Sequence, residues 1–349
     1  MKIKIFLLLV LLSWVSCKKN IEKQDFKQEI KISKNLSYTK ENKKLYLQSS
    51  QFTYQILEKK LPYKKVVLLN ASLIGYFSAL NMEKTIVGVS SPQYIYSPKI
   101  HQLIDDGQIQ KVGNDQKYDV EKILSLQPDA IFTNYIPNFQ NTYDVLTKSG
   151  IELIFLNEYL EQKPLEKAKY IKVFGELLGQ QKKADSLYKV IENHYNAYRQ
   201  KAASIEKKPL VLTNEMYGNQ WYMAGGKTQL ANFLKDANAD YILKTNTAER
   251  SVPMSFEEVF VQSQNAEYWV NAGNHQTKKD LLMLNPNYQQ LNVFKNGKIF
   301  GMNKRNNGKA NDYFESGAVR VDWVLKDYIQ VFHPEVFPKD SLMYLNRLQ

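Results

Sequence analysis

Two stretches decide the reading of this chain: YDVEKILSLQPDAIFTN, Tyr118 to Asn134, and MSFEEVFVQSQNAEYWVN, Met254 to Asn271. Each opens with a residue able to cap a helix, Asp119 in one and Ser255 in the other, and carries an acid in the first turn. Each then passes through a polar turn into an apolar run that ends in Asn. In the second copy Ser255 and Glu258 have capping-box spacing, with Glu257 beside them. Acids are favoured at a helix start by the backbone dipole, so local helix chemistry accounts for Glu121 or Glu257 taken alone. A helix–turn–strand unit present once in each half points to two lobes of related build.

Outward from the first copy, strand and helix alternate. VVLLN at Val66 and IVGVS at Ile86 read as buried strands and SLIGYFSALN at Ser72 as a helix between them. SPKIHQLIDDG and TYDVLTKSG read as helices closed by Gly107 and Gly150, and ELIFLN as a further strand. Strands separated by helices predict a parallel sheet covered on both faces. From Pro164 the pattern turns helical. Ala184, Leu187, Tyr188, Ile191, Tyr195 and Tyr198 form one apolar stripe along Lys182–Ala203, a segment on the order of 30 Å long as a helix. That length spans two lobes, though periodicity also fits an ordinary covering helix. The alternation then resumes with PLVLTNEM, TQLANFLKDANA, the second copy, KIFGMN and a long amphipathic helix, YFESGAVRVDWVLKDYIQVF, before His333 and Pro334.

The chain of 349 residues is longer than one ordinary core, and 44% hydrophobic content argues against disorder. MKIKIFLLLVLLSWVSC reads as a secretory signal, its apolar run too short to span a bilayer. The sole cysteine, Cys17, stands where such a signal is cut. The setting resembles the lipobox of bacterial lipoproteins, with Trp14 in place of the usual aliphatic residue, and it predicts lipidation and an exported, membrane-anchored chain without disulfides. The net charge of +12 is spread along the sequence, and export argues against nucleic acid. The predicted organisation is a signal over 1–16, a solvated tether over 17–48, an N-terminal lobe over 49–178, a linking helix over 179–206 and a C-terminal lobe over 207–349.

No enzyme motif survives inspection. AGGKT at Ala224 lacks the first glycine of a phosphate loop, since Trp221 stands there, and GxSxG and HExxH are absent. The expectation is a protein that is not an enzyme. His101, His194, His275 and His333 are scattered, with no pair at metal-binding spacing, and no metal ligand is assigned.

GVSS at Gly88, YIYSPKI, KVGN at Lys111, DVEKILSLQPDAIF, the long linking helix, WYMAGG, MSFEEVF and NDYFESGAVR together resemble the cobalamin and ferric-siderophore class of periplasmic substrate-binding proteins. The resemblance runs from about Val66 onward and rests on the order of these motifs. It implies two Rossmann-like α/β lobes joined by one rigid helix, the class III periplasmic binding protein architecture. It also implies a ligand held between the lobes and delivered to the permease dimer of an ABC importer. One glutamate on each lobe then meets permease arginines. The matching positions are Glu121 and Glu257, with Glu258 the alternative to the latter.

The loops that line such a cleft point to Tyr94, Tyr96, Asn134 and Tyr135 from the first lobe. From the second they point to Tyr217, Trp221, Tyr222, Arg250, Lys304, Arg305, Asp312 and Tyr313. Aromatic planes with a few cations suit a large, partly flat, anionic cargo. Asp115 and Asn134 stand where the cobalamin binders present tryptophans, which favours a ferric siderophore over cobalamin. Haem is the nearest rival, and a surface lipoprotein that captures ligand without feeding an importer is the other alternative.

Overall fold

The computed structural model describes residues 29–338 and 340–349. The expected signal, Cys17 and the first residues of the expected tether lie outside them.

The first lobe is built on five parallel strands in the spatial order Gln110–Lys111, Ile86–Val89, Val66–Leu68, Ala130–Thr133, Glu152–Phe155. Val66–Leu68 and Ala130–Thr133 are buried at every position, as apolar runs covered on both faces must be. Val66, Leu68 and Phe132 face one side of the sheet and Val67 and Ile131 the other, each set within its own apolar cluster. The second lobe repeats the plan, in the order Asp240–Tyr241, Leu210–Thr213, Tyr268–Val270, Lys298–Gly301 and an antiparallel edge strand, Asn346–Arg347. In both sheets the first strand in sequence sits inside, with later strands added on either side. The crevice beyond the strands' carboxyl ends is therefore where a ligand is expected. A small antiparallel sheet, Met216–Tyr217, Gln220–Ala224 and Ser251–Met254, is added to the second lobe.

A single helix, Gln181–Ala203, joins the lobes. At about 1.5 Å per residue its 23 residues span about 34 Å. It packs on Ile171–Leu177 of the first lobe and on Val321–Phe332 of the second. Ala184, Tyr188, Ile191 and Tyr195 of the expected stripe are buried, and Leu187 and Tyr198 pack at its margin.

Two expectations are corrected. The tether is not solvated chain over its described part, because Ile30–Lys31, Leu36–Glu41, Lys44–Ser49 and Phe52–Leu57 form a four-stranded antiparallel meander. Pairing of Tyr38 with Leu47 and of Leu47 with Tyr54 gathers Leu36, Tyr38, Leu45, Leu47 and Ile56 onto the face that packs on the first lobe. The intervening residues, Ser37, Thr39, Lys44, Gln48, Thr53 and Gln55 among them, form the other face, and they gave the segment its solvated composition. Asn42 and Lys43, with φ of 50° and 61°, supply the left-handed pair that a tight two-residue hairpin requires. The expected helix from Tyr313 is also two helices, Ser316–Val319 and Val321–Phe332. The break is at Arg320, whose guanidinium grips buried Asp322 through Nε at 2.9 Å and Nη2 at 2.7 Å.

Candidate functional site

A cleft of 860 Å³ opens between the lobes, lined from three parts of the chain. The first lobe contributes the loop after Glu152–Phe155, which carries Tyr159 and Leu160. Buried polar groups hold this loop. The Asn134 amide donates to the Leu156 carbonyl at 2.6 Å and to Glu158 at 2.9 Å, and the Ser72 hydroxyl donates to Glu158 at 2.6 Å. Further along, Glu161 Oε1 accepts from Tyr170 at 2.7 Å and from Ser33 at 2.6 Å. Burial pushes the Glu161 carboxyl above its ordinary range, against those hydrogen bonds.

The second lobe contributes Ser251 from the small sheet with Arg250 just before it, Asn271 from the end of a central strand, and Tyr313 and Phe314. The Tyr313 hydroxyl lies 3.1 Å from that of Tyr328, which donates to Asn271 at 2.7 Å. Burial pushes both phenols upward, so this chain stays neutral and fixed beside the cleft. Tyr159 and Phe314 are 54% and 55% exposed, one from each lobe, and both line the cleft. Large aromatics left that open on facing units suit stacking on a flat ligand. Arg250 has no ion-pair partner among the described residues, whereas Lys163 is paired with Glu166 at 3.0 Å.

Of the residues expected at the site, Arg250 and Tyr313 line the cleft. Asn134 is buried and orients the Tyr159 loop. Tyr135 packs on Phe52 and Phe155 and donates its hydroxyl to Gln140. Tyr94 and Tyr96 lie under the second lobe's Lys309 and Arg305, at 5.9 and 5.4 Å. Arg305 is itself bound to buried Asp312 at 2.5 Å, and Lys304 donates to the Leu342 carbonyl. These groups hold lobe to lobe and loop to loop. Trp221 is fully buried against Trp269 and Tyr288, its indole NH donating to the Thr213 carbonyl, so it is a core residue and not a ligand contact. Tyr217 is 83% exposed on its hairpin and Tyr222 partly exposed, neither among the cleft's lining residues. Strand pairing puts both on the face of Ala224 and Ser251, which do line it, with Tyr222 the next residue along that face and Tyr217 at the hairpin end. Sequence reasoning missed Lys34, Tyr159 and Phe314. Phe314 was the neighbour of a chosen residue, and Tyr159 lay just past a recognised strand.

Each histidine is engaged away from the cleft: His101 with the Ile95 carbonyl, His194 with Asp322, His275 with Glu215 and His333 with the Asn238 carbonyl. Among the described residues no group of three or more His, Cys, Asp or Glu is placed to hold a metal ion. Glu121 and Glu257 stand exposed in the first turns of Val120–Leu126 and Phe256–Gln262, without a partner among the described residues. Glu258 is engaged, its carboxylate accepting from the Ser255 NH at 2.7 Å and hydroxyl at 2.9 Å, contacts that hold it below the usual carboxylate range.

Comparison with known proteins agrees with this geometry. An uncharacterised lipoprotein of Methanocaldococcus jannaschii is 23% identical over 289 residues, which is 79% of this chain and 67% of that one. An uncharacterised ABC transporter substrate-binding lipoprotein of Bacillus subtilis is 30% identical over 146 residues, 41% of this chain and 43% of that one. A periplasmic heme-binding protein of Pseudomonas aeruginosa superimposes with a TM-score of 0.60 at 18% identity, over 82% of this chain and 98% of that one. A Helicobacter pylori protein solved with Ni(II) bound gives a TM-score of 0.60 at 18% identity, over 80% and 87%. Residues 66–305 match the periplasmic binding protein family, and the chain belongs to it.

Proposed function

We propose that this chain is the solute-binding component of an ABC importer, exported and held to a membrane by lipid on Cys17, and that it carries an iron complex, a ferric siderophore first among them. The observation that carries the reading is the cleft shared by two lobes, with Tyr159 and Phe314 open to it and Arg250 unpaired beside them. Such a site binds a whole chelate by stacking and charge without the protein ligating the metal. The ABC-transporter relative from Bacillus subtilis supports the coupling to an importer. Glu121 and Glu257 are proposed as its permease contacts.

Fluorescence titration of the purified mature chain tests the cargo. Trp269 donates to the Asn214 carbonyl at 2.6 Å, and Asn214 lines the cleft, so occupancy should perturb its emission. The expected result is saturable quenching by a ferric catecholate or hydroxamate complex and none by cobalamin. Absence of binding to either ferric complex and to haem would overturn the iron-complex reading. Haem is the second reading, favoured by one group: the exposed Tyr159 phenol is of the type that ligates haem iron. A haem absorption band that changes on binding, and that Tyr159→Phe abolishes, would establish it.

A further inference from the structure

The family match begins at Val66, yet the cleft does not. Lys34 and Asn35 line it as well, and they belong to the turn between the first two strands of the N-terminal meander. We propose that this meander is a working wall of the binding site, and that Lys34 reads negative charge on the cargo together with Arg250. The inference rests on the solute-binding reading and narrows it to an anionic, oxygen-rich metal chelate.

Several contacts fix the turn. The Ser33 hydroxyl donates to Glu161 at 2.6 Å, and the Asn35 amide side chain reaches the same oxygen at 3.4 Å. The Asn35 NH donates to the Ser33 hydroxyl at 3.0 Å, and its carbonyl accepts from the Ser50 NH at 2.7 Å. Lys169 donates to the Lys31 carbonyl at 2.7 Å. Ile32 and Ser33 are buried. Glu161 lies on the loop that carries Tyr159, so one carboxylate ties meander to cleft loop. Between two tied residues Lys34 alone is exposed, and its ammonium has no carboxylate partner among the described residues. Arg250 is the other unpaired cation on this cleft, and Lys163 has its own glutamate. Two free cations on separate units, each held by structured backbone, match an anion presented from more than one side.

The test uses the mature chain carrying Lys34→Gln or Lys34→Glu. The probes are the trianionic ferric tris-catecholate, a neutral ferric tris-hydroxamate, haem and cobalamin. Because the Lys34 side chain makes no hydrogen bond among the described residues, thermal melting should be unchanged in both variants. The wild type should bind the tris-catecholate more tightly than the neutral complex. Lys34→Gln should weaken that binding about threefold to tenfold and Lys34→Glu about thirtyfold or more, with the neutral complex unaffected and the effect shrinking at high salt. Unchanged affinity in Lys34→Glu for a complex that the wild type binds would overturn the meander's role and leave the importer reading intact. Equal weakening of neutral and anionic complexes, or wild-type preference for the neutral one, would overturn the charge assignment. Failure of the wild type to bind any probe would overturn the cargo reading and this inference with it.

Discussion

Glu315 couples the two lobes directly. It is 5% exposed, yet its carboxylate accepts from the Tyr96 NH at 2.7 Å and the Ser97 NH at 3.1 Å, both on the other lobe. Burial raises its pKa to about 7, with Asp312 nearby adding to the rise and the two NH groups opposing it. A raised carboxyl pKa means that the folded state holds the proton while the unfolded chain has lost it. The stability that Glu315 contributes is therefore fully present below about 4.5 and is lost as pH rises through 7, by about 2–3 kcal/mol for a shift of this size. Other buried acids titrate too, so the difference between wild type and Glu315→Gln isolates the site. Denaturant midpoints at pH 5 and pH 8 should show the glutamine variant gaining on the wild type as pH rises. A pH-independent difference would refute the assignment. Residues of this kind were out of reach of sequence reading: NDYFESG drew notice for Asp312 and Tyr313, and nothing in it says that the next acid crosses to the opposite lobe. The same blindness put Trp221 in the cleft, since a strand's two faces are told apart only by what packs on each. Alternation along Gln220–Ala224 hinted at it, with Trp221 and Met223 on one face and Tyr222 on the other.

At the scale of elements the legible parts were those with strong periodicity. The buried strands, the Asp119 and Ser255 caps and the linking helix all follow from local pattern. The meander was not legible because the leucines of its packed face alternate with lysine, glutamine and threonine, and composition outweighed period. The contact between Ile74–Leu80 and Glu315–Ser316 was also invisible, though its cause is one residue. A methyl group on Gly75 would overlap the Glu315 carbonyl, so glycine there permits the first lobe's helix to meet second-lobe backbone. Gly75→Ala would improve helix propensity in isolation. Here it should instead destabilise by about 1–3 kcal/mol, the usual cost of forcing extra volume into a packed contact. Chemical denaturation measures it, and an unchanged or raised midpoint would show that the lobes meet more loosely than the geometry indicates.

For the molecule as a whole, the doubled helix–strand unit has a consequence for docking. Each of the two helices feeds a parallel strand, so each starts toward the carboxyl edge of its sheet, the edge at which the cleft lies. Glu121 and Glu257 thus stand on the cleft side of separate lobes, which a linking helix and the Glu315 contact join. On the importer reading proposed above, two exposed carboxylates on separate lobes would specify both position and orientation on a partner carrying two cationic patches, with the cargo between them. Glu258 is poorly suited to this role because its carboxylate is committed to the helix cap. Replacing both Glu121 and Glu257 by alanine should abolish uptake in cells while cargo affinity and melting temperature stay at wild-type values. Glu258→Ala should instead lower stability modestly, through loss of the cap, and leave uptake intact. Uptake that persists in the double variant would mean that these acids serve only their helices, and would favour a lipoprotein that captures ligand without an importer.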